Sequence, residues 1–197
     1  MKSFIILCGG RSKRMGKDKG SLILKGKPMI FHVLDTISDI ADEIILVLRD
    51  EKQVESYKKL LKNDYGNLNI VTDKNKDRGP LIGILTGLSA IKSDYAQILP
   101  CDSPFISQEF VLNMFKAVET NKYDAIVPVW EDGYVEPLHS IYKKTVSDTI
   151  SKLIEEGKMD VKSLIKNINA RYVDTKELDA TTQSFQNINT IKDFQNY

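Results

Sequence analysis

Short apolar runs alternate with longer segments of helical period along the first two thirds of this chain, and this alternation limits the possible folds more than any other feature. The first run, residues 3–7, ends at two glycines, and apolar residues then recur three and four apart between Met29 and Ile37. The predicted strands are residues 3–7, 43–48, 69–72, 95–99 and 125–129. Five strands separated by four helices predict an α/β layered fold with a mainly parallel sheet.

The pattern changes after Trp130. Asp132 and Gly133 form a turn signal between residues 127–130 and 138–142, which predicts a late antiparallel excursion. The remaining expectations are helices at 145–156 and from about Asp160, strands at 171–173 and 184–187, and a last helical turn at 190–196. Because no linker or break in composition separates these segments, we expect one domain over residues 1–197.

The composition excludes several classes of protein. Of the 197 residues, 42% are hydrophobic and 28% are charged, which is typical of a globular protein and not of a disordered chain or a coiled-coil rod. No apolar run approaches the ~20 residues that span a bilayer, and residues 4–7 are too few for the apolar core of a signal peptide. Two cysteines, Cys8 and Cys101, provide neither a disulfide framework nor a four-thiolate zinc site. We therefore expect a cytoplasmic protein that does not bind membranes.

Basic residues are concentrated in one segment of a nearly neutral chain. The net charge is +1, yet residues 11–27 contain seven lysines and arginines against one acidic residue, Asp18. A local basic focus on such a protein indicates a compact anionic ligand and not nucleic acid, which usually selects a more basic domain. The alternative interpretation is a solvated, lysine-rich surface.

Ligands of open α/β sheets bind at the carboxyl ends of the strands, and the first loop at that edge has the composition of a phosphate site. Gly9 and Gly10 let backbone N–H groups approach a ligand closely, and the arginines and lysines that follow neutralise phosphate charge. The loop is not a P-loop, because five residues separate Gly10 from Gly16 and Lys17 is followed by Asp18. The alternative is a flexible glycine turn with exposed lysines.

Two further loops carry carboxylates after predicted strands. Asp102 lies between two prolines, and such a rigidly held carboxylate suits Mg²⁺; the alternative is a turn residue ahead of the helix that Ser107 caps. Asp73 follows the third strand, and Gly79 and Gly83 would let a base or another chain segment lie close.

The cysteines and histidines offer no second kind of chemistry in this sequence. We predict that Cys8 and Cys101 are small buried residues and not nucleophiles. His32 and His139 are predicted to be structural, because no serine–histidine arrangement is evident and no His/Cys cluster supports zinc or iron.

Together these loops resemble those of one enzyme family. The run LCGGRSKRMGKDK at residues 7–19 resembles the N-terminal signature of sugar-nucleotide-type nucleotidyltransferases, and its ending is most similar to the molybdenum cofactor guanylyltransferases (MobA family). The likeness continues with GPLIGI at 79–84, PCDSPF at 100–105, PLHSIY at 137–142 and NINT at 187–190. It implies a single-domain, three-layer Rossmann-like nucleotidyltransferase fold, with a mainly parallel sheet and a late antiparallel excursion.

The resemblance also implies an activity. It is the transfer of GMP from GTP to the terminal phosphate of molybdopterin-bound molybdenum or tungsten, with release of pyrophosphate and with Mg²⁺ as cofactor. The resemblance also implies molybdoenzymes or cofactor-delivery proteins as further partners. The rival with the same chemistry is a cytidylyltransferase or another nucleotidyltransferase with a different acceptor. The rival from another class is a non-catalytic nucleotide or cofactor carrier.

Site residues follow from the resemblance position by position. The nucleotide-binding set is Leu7, Cys8, Gly9, Gly10, Lys19, Asp73, Gly79 and Asp102. The catalytic set is Arg14, Lys19 and Asp102, with Asp102 as the metal ligand. Asn187 and Asn189 match residues on the pterin side of the cleft. The chain departs from the family at Leu48, where many members carry a polar residue.

Overall fold

A seven-stranded sheet with helices on both faces forms the described part of the computed structural model, which covers residues 1–9, 18–62, 65–73, 79–118 and 122–188. The strands are β1 (Ser3–Leu7), β2 (Ile23–Leu24), β3 (Lys27–Pro28), β4 (Glu43–Leu48), β5 (Leu68–Thr72), β6 (Tyr95–Pro100), β7 (Ala125–Val129), β8 (Ile141–Lys143) and β9 (Ala170–Asp174). The helices are α1 (Met29–Ile37), α2 (Glu51–Leu61), α3 (Pro80–Ala90), α4 (Gln108–Ala117), α5 (Val146–Glu155), α6 (Val161–Lys166) and α7 (Thr175–Leu178). Strands β2 and β3 form a separate small hairpin.

The strand order in the large sheet is β5-β4-β1-β6-β8-β7-β9. Strand β8 is antiparallel to both of its neighbours, whereas the β5–β4, β4–β1, β1–β6 and β7–β9 pairs are parallel. The predicted α/β class, the mainly parallel sheet and the late antiparallel excursion are therefore confirmed. The chain moves from β1 to β4 and β5 on one side and returns to β6 on the other, so a topological switch point lies between β1 and β6.

The sheet separates two apolar layers. Alternate residues of β1 enter opposite layers, with Phe4 and Ile6 packed against α1, α2 and α4, and Ile5 packed against α3, α5 and α6. Strands β1, β4 and β6 are almost wholly buried. This arrangement is the three-layer architecture that the uninterrupted apolar runs of a parallel sheet predict.

Polar caps and a glycine fix where the helices begin. The side chain of Ser107 accepts a hydrogen bond from the Phe110 N–H and caps α4, as the sequence predicts. Asp50 caps α2 and Asp160 caps α6 in the same way. Gly79 has a φ of +87° immediately before α3, a conformation that suits glycine.

Two expectations about the late elements are wrong. Strand β8 starts at Ile141 and not at residue 138, because residues 136–140 form a tight turn in which the His139 N–H donates to the Glu136 carbonyl. Residues 184–187 are not a strand, since the Asp179 carboxylate accepts the Ser184 N–H and a 3-10 turn spans Gln183–Phe185. The helical turn predicted at 190–196 lies outside the described residues. Among the described helices, none is long and apolar enough to cross a membrane.

Helix α3 lies unusually close to β1 at Gly87. This contact predicts how a methyl group added at position 87 would change the stability of the protein. A Cβ at position 87 would lie 2.4 Å from Cγ2 of Ile5. In Gly87→Ala, helix propensity gains about 1 kcal/mol, but overpacking costs up to about 3 kcal/mol. We expect urea denaturation to show a net loss of about 1–2 kcal/mol in the free energy of unfolding.

The matched control is Gly66→Ala, because a Cβ at Gly66 meets no atom within 4 Å. This variant should unfold within about 0.5 kcal/mol of the wild type. A Gly87→Ala protein as stable as Gly66→Ala would contradict the close packing of α3 on β1.

Candidate active site at the carboxyl ends of β1 and β6

An ion pair joins the loops that follow β1 and β6. The register pairs Leu7 with Pro100, and the Cys101 N–H donates to the Leu7 carbonyl at 3.2 Å, so the two loops leave the sheet side by side. The Lys19 Nζ atom lies 2.6 Å from Oδ2 of Asp102, and both side chains are largely buried. Two residues that are 83 positions apart, both predicted to be catalytic, are thus in direct contact.

Asp18 fixes the segment that carries Lys19 to helix α2. Its Oδ1 atom accepts a 2.6 Å hydrogen bond from the Tyr57 hydroxyl, and its Oδ2 atom accepts a hydrogen bond from Gln53 Nε2. Because Lys19 is the next residue, these bonds determine where its side chain starts. Gly20 completes the fit, since a Cβ there would lie 2.3 Å from the Tyr57 hydroxyl oxygen.

Gln53 connects three parts of the site. Its Nε2 atom donates to the Cys8 carbonyl at 2.9 Å as well as to Asp18, and its Oε1 atom accepts the Arg49 N–H at 2.7 Å. The side chain therefore ties the ends of β1 and β4 to the Lys19 segment. Sequence reasoning missed Gln53 and Tyr57, although their spacing of four residues placed them on the same face of α2.

Both cysteines are buried under this site, as predicted. Burial raises the pKa of the Cys8 thiol well above its ordinary value of 9.0, and a hydrogen bond with the Cys101 thiol raises it further. Burial, followed by the neighbouring thiols and Asp18, also raises the pKa of the Tyr57 hydroxyl. The Cys8 thiol and the Tyr57 hydroxyl therefore stay neutral in the native protein at physiological pH, and the Cys8 thiol is a poor nucleophile.

Asp73, which is predicted to bind the nucleotide, lies along the same edge of the sheet as Asp102. Asp73 directly follows β5, and its N–H donates to the Leu48 carbonyl at 2.8 Å. Strands β4 and β1 lie between β5 and β6, so Asp73 and Asp102 are separated by three strand spacings, or roughly 14 Å. The Leu48 side chain is fully buried in the core, so only its backbone faces this edge.

Asn187 also reaches the Asp102 loop, from the C-terminal part of the chain. The Ile188 N–H donates to the Asp102 carbonyl at 2.9 Å, and Asn187 Oδ1 accepts a hydrogen bond from the Ser103 hydroxyl. Ser103 Oγ is also 3.1 Å from His139 Nε2. The prediction that no serine–histidine arrangement exists is therefore wrong. The turn before β8 brings His139 against the loop after β6, which carries Ser103, 36 positions earlier in the chain.

Of the predicted site residues, Gly10, Arg14 and Asn189 lie outside the described residues. Gly9 lies two residues beyond the end of β1, where a Cβ would be 3.9 Å from the Arg49 backbone. Within the described ranges, no group of three or more His, Cys, Asp or Glu side chains could hold a metal ion.

Comparison with known proteins identifies the family. A family model described as a MobA-like NTP transferase domain matches residues 4–174, from the start of β1 to the end of β9. The chain belongs to this family. As a MobA-like NTP transferase it is a nucleotidyltransferase, and the resemblance drawn from the five sequence segments is confirmed.

Individual relatives of this MobA-like protein cover nearly its whole length. A probable molybdenum cofactor guanylyltransferase of Methanothermobacter thermautotrophicus is 38% identical over 197 residues, which cover 99% of this chain and 98% of that protein. A probable molybdenum cofactor guanylyltransferase of Natranaerobius thermophilus is 36% identical over 198 residues, which cover 98% of this chain and 93% of that protein. The crystal structure of molybdopterin-guanine dinucleotide biosynthesis protein A from Archaeoglobus fulgidus matches with a TM-score of 0.83 at 29% identity, covering 100% and 96%.

The buried Cys8 thiol predicts a component of the alkaline stability of the protein. Below pH 9 the thiol is protonated in both the native and the unfolded state, so its full contribution to stability is present. Above pH 9 only the unfolded chain releases the proton, so stability falls with rising pH by about 1.4 kcal/mol per pH unit. Unfolding free energies measured by urea titration between pH 7 and 10.5 should therefore decline more steeply in the wild type than in Cys8→Ala. Parallel pH profiles for the two proteins would contradict the raised pKa of Cys8.

Proposed function

We propose that residues 1–197 form one nucleotidyltransferase domain that transfers GMP from GTP to the terminal phosphate of molybdopterin-bound molybdenum or tungsten, releasing pyrophosphate. The observation that carries the proposal is the buried Lys19–Asp102 pair at the switch point of a MobA-like fold. The names of the full-length relatives support the choice of guanine nucleotide and of a molybdopterin acceptor.

The nucleotide is proposed to lie along the carboxyl edge of the sheet, from β6 towards β5. Leu7 and Cys8 would border the triphosphate at the end of β1, where the Cys8 N–H itself donates to the Val47 carbonyl. Backbone N–H groups of the loop that follows, from Gly9 and Gly10, would approach the phosphates, and Lys19 and Arg14 would add positive charge. The separation of roughly 14 Å between Asp102 and Asp73 suits a nucleotide with its phosphates at one end and its nucleoside at the other. Gly79, at the start of α3, would border the nucleoside end.

Asp102 fits a magnesium site. Its carboxylate lies just after β6 at the ligand-binding edge of the sheet, where Oδ2 pairs with the Lys19 ammonium group. Mg²⁺ commonly binds to one or two carboxylates and otherwise to substrate phosphates and water, and Asp102 beside the proposed triphosphate would offer such a set. When bound, the ion would offset negative charge on the phosphates as the transition state forms.

The proposed chemistry needs positioning and charge stabilisation more than proton transfer. An oxygen of the acceptor phosphate attacks the α-phosphorus of GTP, forming a P–O bond, and the bond from the α-phosphorus to the bridging oxygen breaks as pyrophosphate leaves. A phosphate monoester is already anionic near neutral pH, so no general base is required. Lys19 and Arg14 would stabilise the leaving pyrophosphate, and Asn187 and Asn189 would contact the acceptor.

Replacing Asp102 tests the centre of the proposal. Asp102→Asn keeps the size of the side chain but removes its charge, and the loss of several kcal/mol of charge stabilisation should lower turnover roughly 10³-fold. The matched control is Asp35→Asn, since Asp35 forms another 2.6 Å pair, with Lys27, on the surface of α1. Near-normal turnover of folded Asp102→Asn protein with Mg²⁺ would remove Asp102 from its proposed role.

Pyrophosphate release by the purified protein distinguishes this function from its rivals. We expect release in the presence of Mg²⁺, GTP and molybdenum cofactor, and none when GTP is replaced by CTP or ATP or when the cofactor is omitted. Release with CTP would keep the reaction class and overturn the choice of base. Binding of GTP without release of pyrophosphate would favour a carrier, although Lys19, Asp73 and Asp102 exceed what a carrier needs.

A further inference from the structure

A chain of hydrogen-bonding groups runs from the protein interior to the exposed side chain of Asn187. At its inner end the His139 Nδ1 atom faces Oε2 of Glu136 at 3.6 Å, beyond hydrogen-bond distance, and it makes no hydrogen bond with the described residues. The other oxygen of Glu136 accepts a 2.8 Å hydrogen bond from the Trp130 indole. The His139 Nε2 atom is 3.1 Å from Ser103 Oγ, whose hydroxyl donates to Asn187 Oδ1. His139 and Ser103 are almost completely buried, so solvent cannot replace either partner.

The number of available hydrogens gives this chain a direction. A serine hydroxyl has one hydrogen, and Ser103 Oγ contacts Asn187 at the amide oxygen Oδ1, which carries no hydrogen, so the hydroxyl must be the donor in this bond. The hydrogen between Ser103 and His139 must therefore belong to the ring, so His139 Nε2 is a donor. As a result, the oxygen of the Asn187 amide is held by Ser103, and the NH₂ group is the half of this exposed side chain that is left for a ligand.

The surroundings restrict how this chain could rearrange. The His139 ring makes edge-on contacts with the rings of Phe185 and Phe110, at centroid distances of 5.5 and 6.3 Å. A ring packed in this way has little freedom to turn. The chain also ends next to the proposed reaction centre, because Ser103 follows Asp102 and the Ile188 N–H donates to the Asp102 carbonyl.

We propose that His139 is a positioning residue that acts through Ser103 to hold the Asn187 amide with its NH₂ group outward, as a hydrogen-bond donor to an anionic oxygen of the acceptor substrate. This inference rests on the proposed function, in which Asn187 lies on the acceptor side of the cleft. An outward NH₂ group attracts an anion, whereas an outward amide oxygen repels one, so the direction of the chain determines whether Asn187 favours or opposes acceptor binding.

The direction of the hydrogen bond between His139 and Ser103 can be measured without any substrate. The chain has two histidines, so His32→Gln leaves His139 as the only imidazole. In ¹⁵N-histidine-labelled His32→Gln protein, we expect the Nε2 resonance of His139 to be that of a nitrogen that carries hydrogen. A hydrogen-free Nε2 would mean that Ser103 donates to the ring and that the Asn187 amide faces the opposite way, which would overturn the inference.

Steady-state kinetics test whether this direction matters for the acceptor. His139→Leu and Ser103→Ala both interrupt the chain, and each should raise the KM for the acceptor about tenfold, equivalent to about 1.4 kcal/mol. The KM for GTP should stay within about twofold of wild type. His139→Gln, which restores an N–H donor, should recover most of the acceptor affinity. An equal rise in both KM values would indicate general structural damage and would overturn the positioning role.

Asn187→Ala separates the failure of this inference from that of the proposed function. If the alanine variant leaves the acceptor KM unchanged, Asn187 is not on the acceptor side, and the assignment within the proposed function fails whatever the NMR result. If Asn187→Ala raises the acceptor KM but the His139 and Ser103 variants do not, the positioning role alone is overturned. If all three substitutions raise the acceptor KM, the double variant Ser103→Ala/Asn187→Ala should have nearly the same acceptor KM as Asn187→Ala alone, because both substitutions would remove one interaction.

Discussion

The pairing of β1 with β6 is the interaction on which the rest of this structure depends. These strands are adjacent in the sheet although β4 and β5 are formed between them in the chain, and their ends are aligned residue by residue. Because the apolar side chains of both strands are buried on both faces, a shift of one residue would move each strand's core residues into the wrong layer. The same burial therefore fixes the core and the contact between Lys19 and Asp102.

Buried polar side chains then convert this alignment into a defined set of loops. Gln53 holds the ends of two strands and the Lys19 segment, and Ser103 holds the loop after β6 against the C-terminal segment. An unpaired polar group in such positions is costly, so each of these side chains is confined to the arrangement that satisfies its hydrogen bonds. The loops of the site are consequently coupled to one another, and a change in one of these side chains affects more than one loop.

The sequence predicted those parts of the fold that depend on local pattern. Strands β1, β4, β5, β6 and β7 are largely apolar runs, and Ser107 has the residue type of a helix cap, so periodicity and capping preferences located both correctly. The short hairpin of β2 and β3 was not predicted, because neither strand is long enough to show a period. The turn before β8 and the 3-10 turn at Gln183–Phe185 depend on hydrogen bonds to Glu136 and Asp179, which local propensity does not reveal. Position by position, the resemblance assigned Lys19, Asp102 and Asn187 to the predicted site, and the structure brings these residues together. Their supports come from distant elements and needed the three-dimensional structure.

The Lys19–Asp102 pair has a consequence for the order in which ligands can enter. The carboxylate has a counterion 2.6 Å away, and both side chains are largely shielded from water. In the proposed function, a divalent cation that binds Asp102 would compete with this ammonium group for the carboxylate. A nucleotide that brings the cation would also bring phosphate oxygens to which the ammonium group could bind in exchange. The ion pair would therefore favour entry of a metal–nucleotide complex over entry of the bare ion.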